Sequence, residues 1–335
     1  MNHRKDDRLT QVDLRSQPGA CMASPFSPTL VSMRRFCTDH ALACGEPLAG
    51  TASLAERHLF LRWPKGNWRR PRFETAGLSD ALRAEMKAAS GNGRYVGLVD
   101  GEQLELLSFP DAIAIVPRDQ DHAAILVTQW REGIAFAGTP LRRTILCCTD
   151  AKTDACCARY GFPLFKALAA AAPAFGIDVL QCTHIGGCHL APSVIVMPDR
   201  QRYGRLAPAA VPEFLATIAR NDLYLPSYTG NPALDEIGQS AEVAARQWAA
   251  KRGDLVQLTV GAITMHSDTQ ATLAVRVNAE DLLVEAERQS FPIYGNCRDM
   301  DGAPKDKPRW TARIVHPGEV SVPPSPGRRT PGTIG

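Results

Sequence analysis

Residues 146–189 read LCCTDAKTDACCARYGFPLFKALAAAAPAFGIDVLQCTHIGGCH and hold six of the ten cysteines and two of the eight histidines of this 335-residue chain. They fall into two groups. Cys147-Cys148 and Cys156-Cys157 form the first; Cys182, His184, Cys188 and His189, around Gly186-Gly187, form the second. Thiolates and imidazoles gathered into two short segments are the donor set of a metal or iron–sulfur site, which ordinary core packing rarely assembles.

The flanking pattern says how the groups can meet. Residues 143–148 are an apolar run suited to a buried strand, 149–155 a polar turn, and 160–172 an Ala/Leu/Phe-rich helix stopped by Pro173 and Gly176. Residues 177–182 and 193–197 read as further strands. Both cysteine-bearing segments therefore follow strand ends, and in an α/β sheet those ends share the edge where ligands bind. Cys148 and Cys157 from one loop can meet His184 and Cys188 from the other. Gly186 and Gly187 would let the backbone run close to a bulky inorganic group. Cys147, Cys156 and Cys182 read as buried packing residues and His189 as a surface or outer partner. A C-x8-C spacing suits zinc poorly, because structural zinc favours tight Cys knuckles. The chain has no C-x-x-C, the pairing that thioredoxin-type exchange uses.

These residues resemble the sucrase/ferredoxin-like family, which belongs with the thioredoxin-like [2Fe–2S] ferredoxins. Cys148-Thr149-Asp150…Asp154-Ala155-Cys156-Cys157 is similar to the family's C-T-H-x-x-x-D-x-C-C, and residues 183–188 to its S-H-x-G-G-H. Residues 45–52 match G-x-P-L-x-G-T-A, residues 63–68 form a W-P-x-G-x-W segment, and residues 203–206 read YGRL. The likeness runs from about Cys44 to about Glu242. It implies a thioredoxin-like core and a [2Fe–2S] cluster held by Cys148, Cys157, His184 and Cys188. The family's second histidine falls on Cys188 here, with His189 one place later, and the sequence leaves the two open. Three cysteines and one histidine lie between the two-Cys, two-His set of the fungal relatives and the four-Cys set of thioredoxin-like ferredoxins. Exchanging a thiolate for a neutral imidazole should raise the reduction potential, and a protonatable histidine ligand should make it depend on pH.

The rest of the chain bounds the reading. A hydrophobic content of 44% and a charged content of 22% are ordinary for a globular protein. A net charge of +3 is too small to point to nucleic acid. The N-terminus is polar and no run nears 18 apolar residues, so neither a signal peptide nor a membrane span is expected. The cytoplasm, where thiols stay reduced, is the expected location.

The fold class expected is α/β, organised as a disordered segment (1–38), an N-terminal α/β unit (39–140), a thioredoxin-like cluster-binding domain (141–228), a C-terminal α+β extension (229–316) and a disordered tail (317–335). Strands are expected at 56–63, 94–99, 103–108, 112–116 and 123–130, with a helix at 79–89 capped by Ser79. A hairpin near 194–206 and a helix at 212–220 complete the cluster half. Arg202 and Arg205 are placed to hydrogen-bond the ligand loop or steer a partner. Beyond Tyr228, a helix at 233–251 precedes alternating strands at 254–264 and 270–277, a short helix at 281–287, and strands at 291–294 and 310–315. Cys21 and Cys37 read as incidental free thiols, and Cys297 and His266 as structural or incidental.

The function expected is single-electron transfer or redox homeostasis with a redox partner protein, a reductase or an electron acceptor. Arg69, Arg70 and Arg72 form a basic patch suited to an acidic partner. A cluster-less thiol oxidoreductase, or a zinc-binding module on the same fold, is the alternative. Nothing resembles the paired carboxylates that glycosidases use.

Overall fold

A computed structural model describes residues 35–253 and 257–315. The expectations for residues 1–34 and 316–335, Cys21 among them, lie outside the described residues. A short helix, α1 (Cys37–Ala43), comes first. It is followed by β1 (Arg57–Arg62), α2 (Asp80–Ala89), β2 (Arg94–Val99), β3 (Glu105–Phe109), β4 (Ile113–Ile115), α3 (Gln120–Arg131) and β5 (Thr139–Pro140). The cysteine-rich half is built from β6 (Thr144–Cys148), α4 (Ala155–Ala171), β7 (Asp178–Cys182), β8 (Val194–Met197), β9 (Gln201–Tyr203) and α5 (Val211–Ala219). Helix α6 (Glu236–Ala250) then leads to β10 (Leu258–Ser267), β11 (Gln270–Val277), β12 (Glu280–Ile293) and β13 (Lys305–Val315).

One nine-stranded sheet, ordered β5-β4-β3-β1-β2-β7-β6-β8-β9, runs through both halves of the α/β region. In the cysteine-rich half β6 is parallel to β7 and antiparallel to β8, and β8 is antiparallel to β9. This β-α-β-β-β-α path is a thioredoxin-like unit. The N-terminal half follows the same path: β1 is parallel to β2 and antiparallel to β3, and β3 is antiparallel to β4. The two halves are thus a topological repeat, joined where β2 meets β7 antiparallel at Val99 and Cys182.

Strand alternation sorts the side chains between two faces. On one face Leu59, Leu61, Val96 and Leu98 pack with Leu82, Met86, Val127 and Trp130 of α2 and α3. Ile145 and Cys147 pack with Leu164 and Leu168 of α4 and Phe214 and Ile218 of α5. On the other face Phe60, Leu107, Leu146, Cys148, Ile195 and Met197 form one cluster spanning both halves, with Phe36, Tyr294 and Met300 packed against it.

Three elements differ from the sequence expectation. Residues 123–130 lie in helix α3, not a strand: Ala123, Ala124, Val127 and Trp130 are buried at helical spacing, and the Asp119 side chain caps the start by accepting from His122 N at 2.8 Å. Residues 281–287 are part of strand β12, not a helix. Leu282, Val284 and Ala286 alternate inward, and the strand pairs with both β11 and β13. Helix α4 begins at Ala155, five residues before the expected start, because Asp154 accepts from Cys156 N at 2.8 Å as its cap. Cys156 and Cys157 therefore sit in its first turn. The four strands β10-β11-β12-β13 make a separate antiparallel sheet, on which α6 packs Ala241, Ala245 and Ala249. Among the described residues no helix is long and apolar enough to cross a membrane.

Candidate metal centre

The parallel pair β6 and β7 ends level, with Cys148 opposite Cys182. Two segments leave that edge. The first turns at residues 149–154 and enters α4 at Ala155, with Cys157 in its first turn; the second passes through Thr183 and His184 to Cys188. One donor atom each from Cys148, Cys157 and His184 lies within 4.8 Å of the others. The Cys188 Sγ lies 3.5 Å from His184 Nδ1, and the Cys157 Sγ lies 3.8 Å from the same nitrogen. The four donors singled out from sequence thus come together from two loops. The cysteines are buried and His184 is half-buried beside exposed Gly186. Gly186 and Gly187 have φ of +100° and +68°. Among the described residues a Cβ at Gly186 would meet no atom within 4 Å, so the glycine requirement here is one of backbone conformation.

The remaining candidates point elsewhere. The Cys147 thiol reaches the Gly161 carbonyl at 3.5 Å on the helix-covered face. Cys182 is fully buried in the core of the opposite face. His189 turns away into a buried polar group centred on Glu46, where its Nδ1 donates to Oε2 at 2.7 Å. Arg309 donates twice to Oε1 of the same carboxylate, at 2.9 and 2.6 Å. Arg205 donates to the Glu46 carbonyl at 2.7 Å.

Residues that sequence reasoning passed over hold the loops in place. The Asp150 carboxylate accepts from Lys152 N, Thr153 N and the Thr153 hydroxyl in its own loop, and from His184 N in the other. The Tyr95 hydroxyl donates to the His184 carbonyl. Arg202, read from sequence as a possible loop partner, donates to the Ile185 carbonyl at 2.8 Å. The N-terminal half adds Lys65, whose ammonium donates to Thr149 Oγ1 at 2.8 Å and Gln181 Oε1 at 2.6 Å. Asp150 and Glu46 both lie inside the quoted motifs, which was the available signal. Tyr95 carries no motif.

Electrostatics favour a charged donor group. A hydrogen bond from Cys157 pulls the Cys148 thiol down to about 5, aided by His184 and opposed by burial. Burial would lower His184, but its contacts with Cys148 and Cys188 push it up to about 10. Cys188 is lowered, first by its contact with Cys157. Cys157, which donates to both neighbours, is raised well above the usual thiol range. These directions favour thiolate at Cys148 and Cys188, and thiolate is the form that coordinates metal.

A family model described as sucrase/ferredoxin-like matches residues 48–229. The wild-type thioredoxin-like [2Fe-2S] ferredoxin from Aquifex aeolicus aligns at 18% identity and a TM-score of 0.23, over 26% of this chain and 94% of that one. A cysteine-to-serine variant of the same ferredoxin aligns at 16% identity and a TM-score of 0.24, over 26% of this chain and 97% of that one. No curated protein sequence matches the chain.

Proposed function

Because the chain belongs to the sucrase/ferredoxin-like family, and its donors converge at one sheet edge, we propose that it is a [2Fe–2S] protein that carries single electrons. Cys148, Cys157, His184 and Cys188 are the proposed ligands. The observation that carries this reading is the meeting of three thiols and one imidazole from two loops otherwise unrelated in sequence. Such a donor set fits the group, since iron–sulfur clusters take thiolate and imidazole ligands. When bound, the cluster supplies reversible one-electron chemistry. The chain's own residues do the rest. Cys157 and His184 give up protons on loading, while Asp150 ties the two loops together and Tyr95 and Arg202 fix the second one. The reading needs a reducing compartment, such as the cytoplasm.

The proposed partner is a redox protein with an acidic face. Exposed Arg70, Lys152 and Arg298 line one shallow groove, and Lys152 belongs to the loop between Cys148 and Cys157. Arg72 of the expected basic patch is otherwise engaged, donating to the Val96 carbonyl and stacking on Tyr95.

The test is electron paramagnetic resonance of anaerobically reconstituted, dithionite-reduced protein. Wild type should give about one unpaired spin per chain, and Cys157→Ser should lose the signal. A wild-type protein that stays silent and iron-free overturns the reading. A single zinc ion held by three cysteines and one histidine is the second reading, favoured by the closeness of the Cys148, Cys157 and His184 donors, which lie within 4.8 Å of one another, with the Cys188 Sγ 3.5 Å from His184 Nδ1. Zinc without sulfide at these residues would establish it.

A further inference from the structure

Cys156, next in sequence to Cys157, belongs to a second sulfur group. Its Sγ lies 3.4 Å from that of Cys37 and 3.1 Å from that of Cys297, and the Cys37 and Cys297 sulfurs are 3.7 Å apart. The three residues come from α1, the first turn of α4 and the 3-10 turn Cys297–Asp301 that follows β12. Up to 260 positions separate them in the chain. Cys37 and Cys156 are fully buried, whereas Cys297 is partly exposed. The Asp154 carboxylate completes the group: one donor atom from each of the four residues falls within 4.8 Å of the others. Asp154 is held in this position by backbone donors from two of the segments, Cys156 N at 2.8 Å and Cys297 N at 2.7 Å.

We propose that Cys37, Cys156 and Cys297 bind a structural zinc ion, with the Asp154 carboxylate as fourth donor. A tetrahedral zinc with bonds of about 2.3 Å to sulfur sets its sulfurs about 3.8 Å apart. The observed separations of 3.1, 3.4 and 3.7 Å approach that triangle. A disulfide would join two of the sulfurs and leave the third, together with the buried carboxylate, unexplained. Three soft donors and one carboxylate select zinc over magnesium or calcium. The ion would clip helix α1 and the turn after β12 onto the first turn of α4, the turn that presents Cys157. This would make the C-terminal sheet a brace for the first site. The zinc site uses none of the residues proposed to hold the iron–sulfur cluster, so either assignment stands or falls without the other.

The test is metal analysis of full-length protein purified under reducing conditions with zinc and iron supplied, in wild type, Cys148→Ser, Cys297→Ser and Cys44→Ser chains. Wild type, Cys148→Ser and Cys44→Ser should each retain a zinc ion through gel filtration. In Cys297→Ser, competition with a chromophoric chelator should show zinc bound more than about 100-fold more weakly, since even partners outside the coordination sphere cost roughly 10–100-fold. Should Cys297→Ser fail to fold, cobalt titration of Cys148→Ser decides: intense tetrahedral thiolate bands at one cobalt per chain support the site. No retained zinc in wild type, unchanged zinc affinity in folded Cys297→Ser, an octahedral cobalt spectrum in Cys148→Ser, or a Cys156–Cys297 disulfide in zinc-free protein would each overturn it.

Discussion

Gly161 lies in α4 where the helix crosses the end of β6. A Cβ built there would sit 2.0 Å from the Cys148 carbonyl oxygen, where ordinary contact begins at 3.4 Å. The backbones would have to part by the difference, 3.4 − 2.0 = 1.4 Å. Gly161→Ala therefore sets two effects against each other. Alanine inside a helix is favoured over glycine by about 1 kcal/mol. Overpacking costs about 1–3 kcal/mol, and a backbone atom that cannot rotate aside puts this site at the upper end. The net expectation is a loss of about 2 kcal/mol. With a urea slope of about 2–3 kcal/mol per molar, the unfolding midpoint of chelator-treated protein should fall by somewhat under 1 M. The displaced carbonyl belongs to Cys148, so metal retention should fall as well. Gly66→Ala is the control, since its Cβ meets nothing within 4 Å; it should stay within about 0.5 kcal/mol of wild type. If Gly161→Ala unfolds at or above the wild-type midpoint, the close approach of α4 to β6 is wrong.

Two further predictions concern buried charge. Glu46→Gln leaves the buried Arg309 guanidinium without its counter-charge and should cost about 3–5 kcal/mol in urea unfolding; a loss below 1 kcal/mol would contradict the arrangement. His58 is buried, neither ring nitrogen has a hydrogen-bond partner among the described residues, and it stacks near Phe60 and Tyr95. Burial first, then the charges of Arg202 and Arg200, lower its pKa to about 3. Between the ordinary value of 6.5 and that figure the unfolded chain binds the extra proton, so stability falls as pH falls through this window, by up to about 1.4 kcal/mol per pH unit. His58→Phe should remove that slope in unfolding measured at pH 6, 5 and 4. An unchanged slope would show that other groups carry it.

Sequence pattern reached the edge of the sheet and stopped short of what braces it. Strand ends at Cys148 and Cys182 were legible because an apolar run stops at a polar turn in each case, and the adjacency of Cys147 and Cys148 resolves by strand alternation alone. Helix α3 was not, because ITS short Ala/Val/Trp-rich run fits either period; the Asp119 cap was the deciding signal. Residues 281–287 look helical by composition, and only pairing on both sides makes them strand. The repeat of the two halves escaped detection because it lies in connectivity and sheet order, with no cysteine or histidine kept at the matching loop ends after β1 and β2. Cys37, read as incidental, and Cys297, read as structural or incidental, are brought to Cys156 only by the tertiary fold, across separations that no local motif spans.

The central claim is an iron–sulfur cluster at the edge formed by β6 and β7. Its most direct test is iron, acid-labile sulfide and absorption on anaerobically purified wild-type protein, beside His184→Ala and Cys188→Ser. The account predicts a brown protein with about two irons and two sulfides per chain, diminished in both variants. A colourless protein that takes up neither iron nor sulfide after anaerobic reconstitution would contradict it.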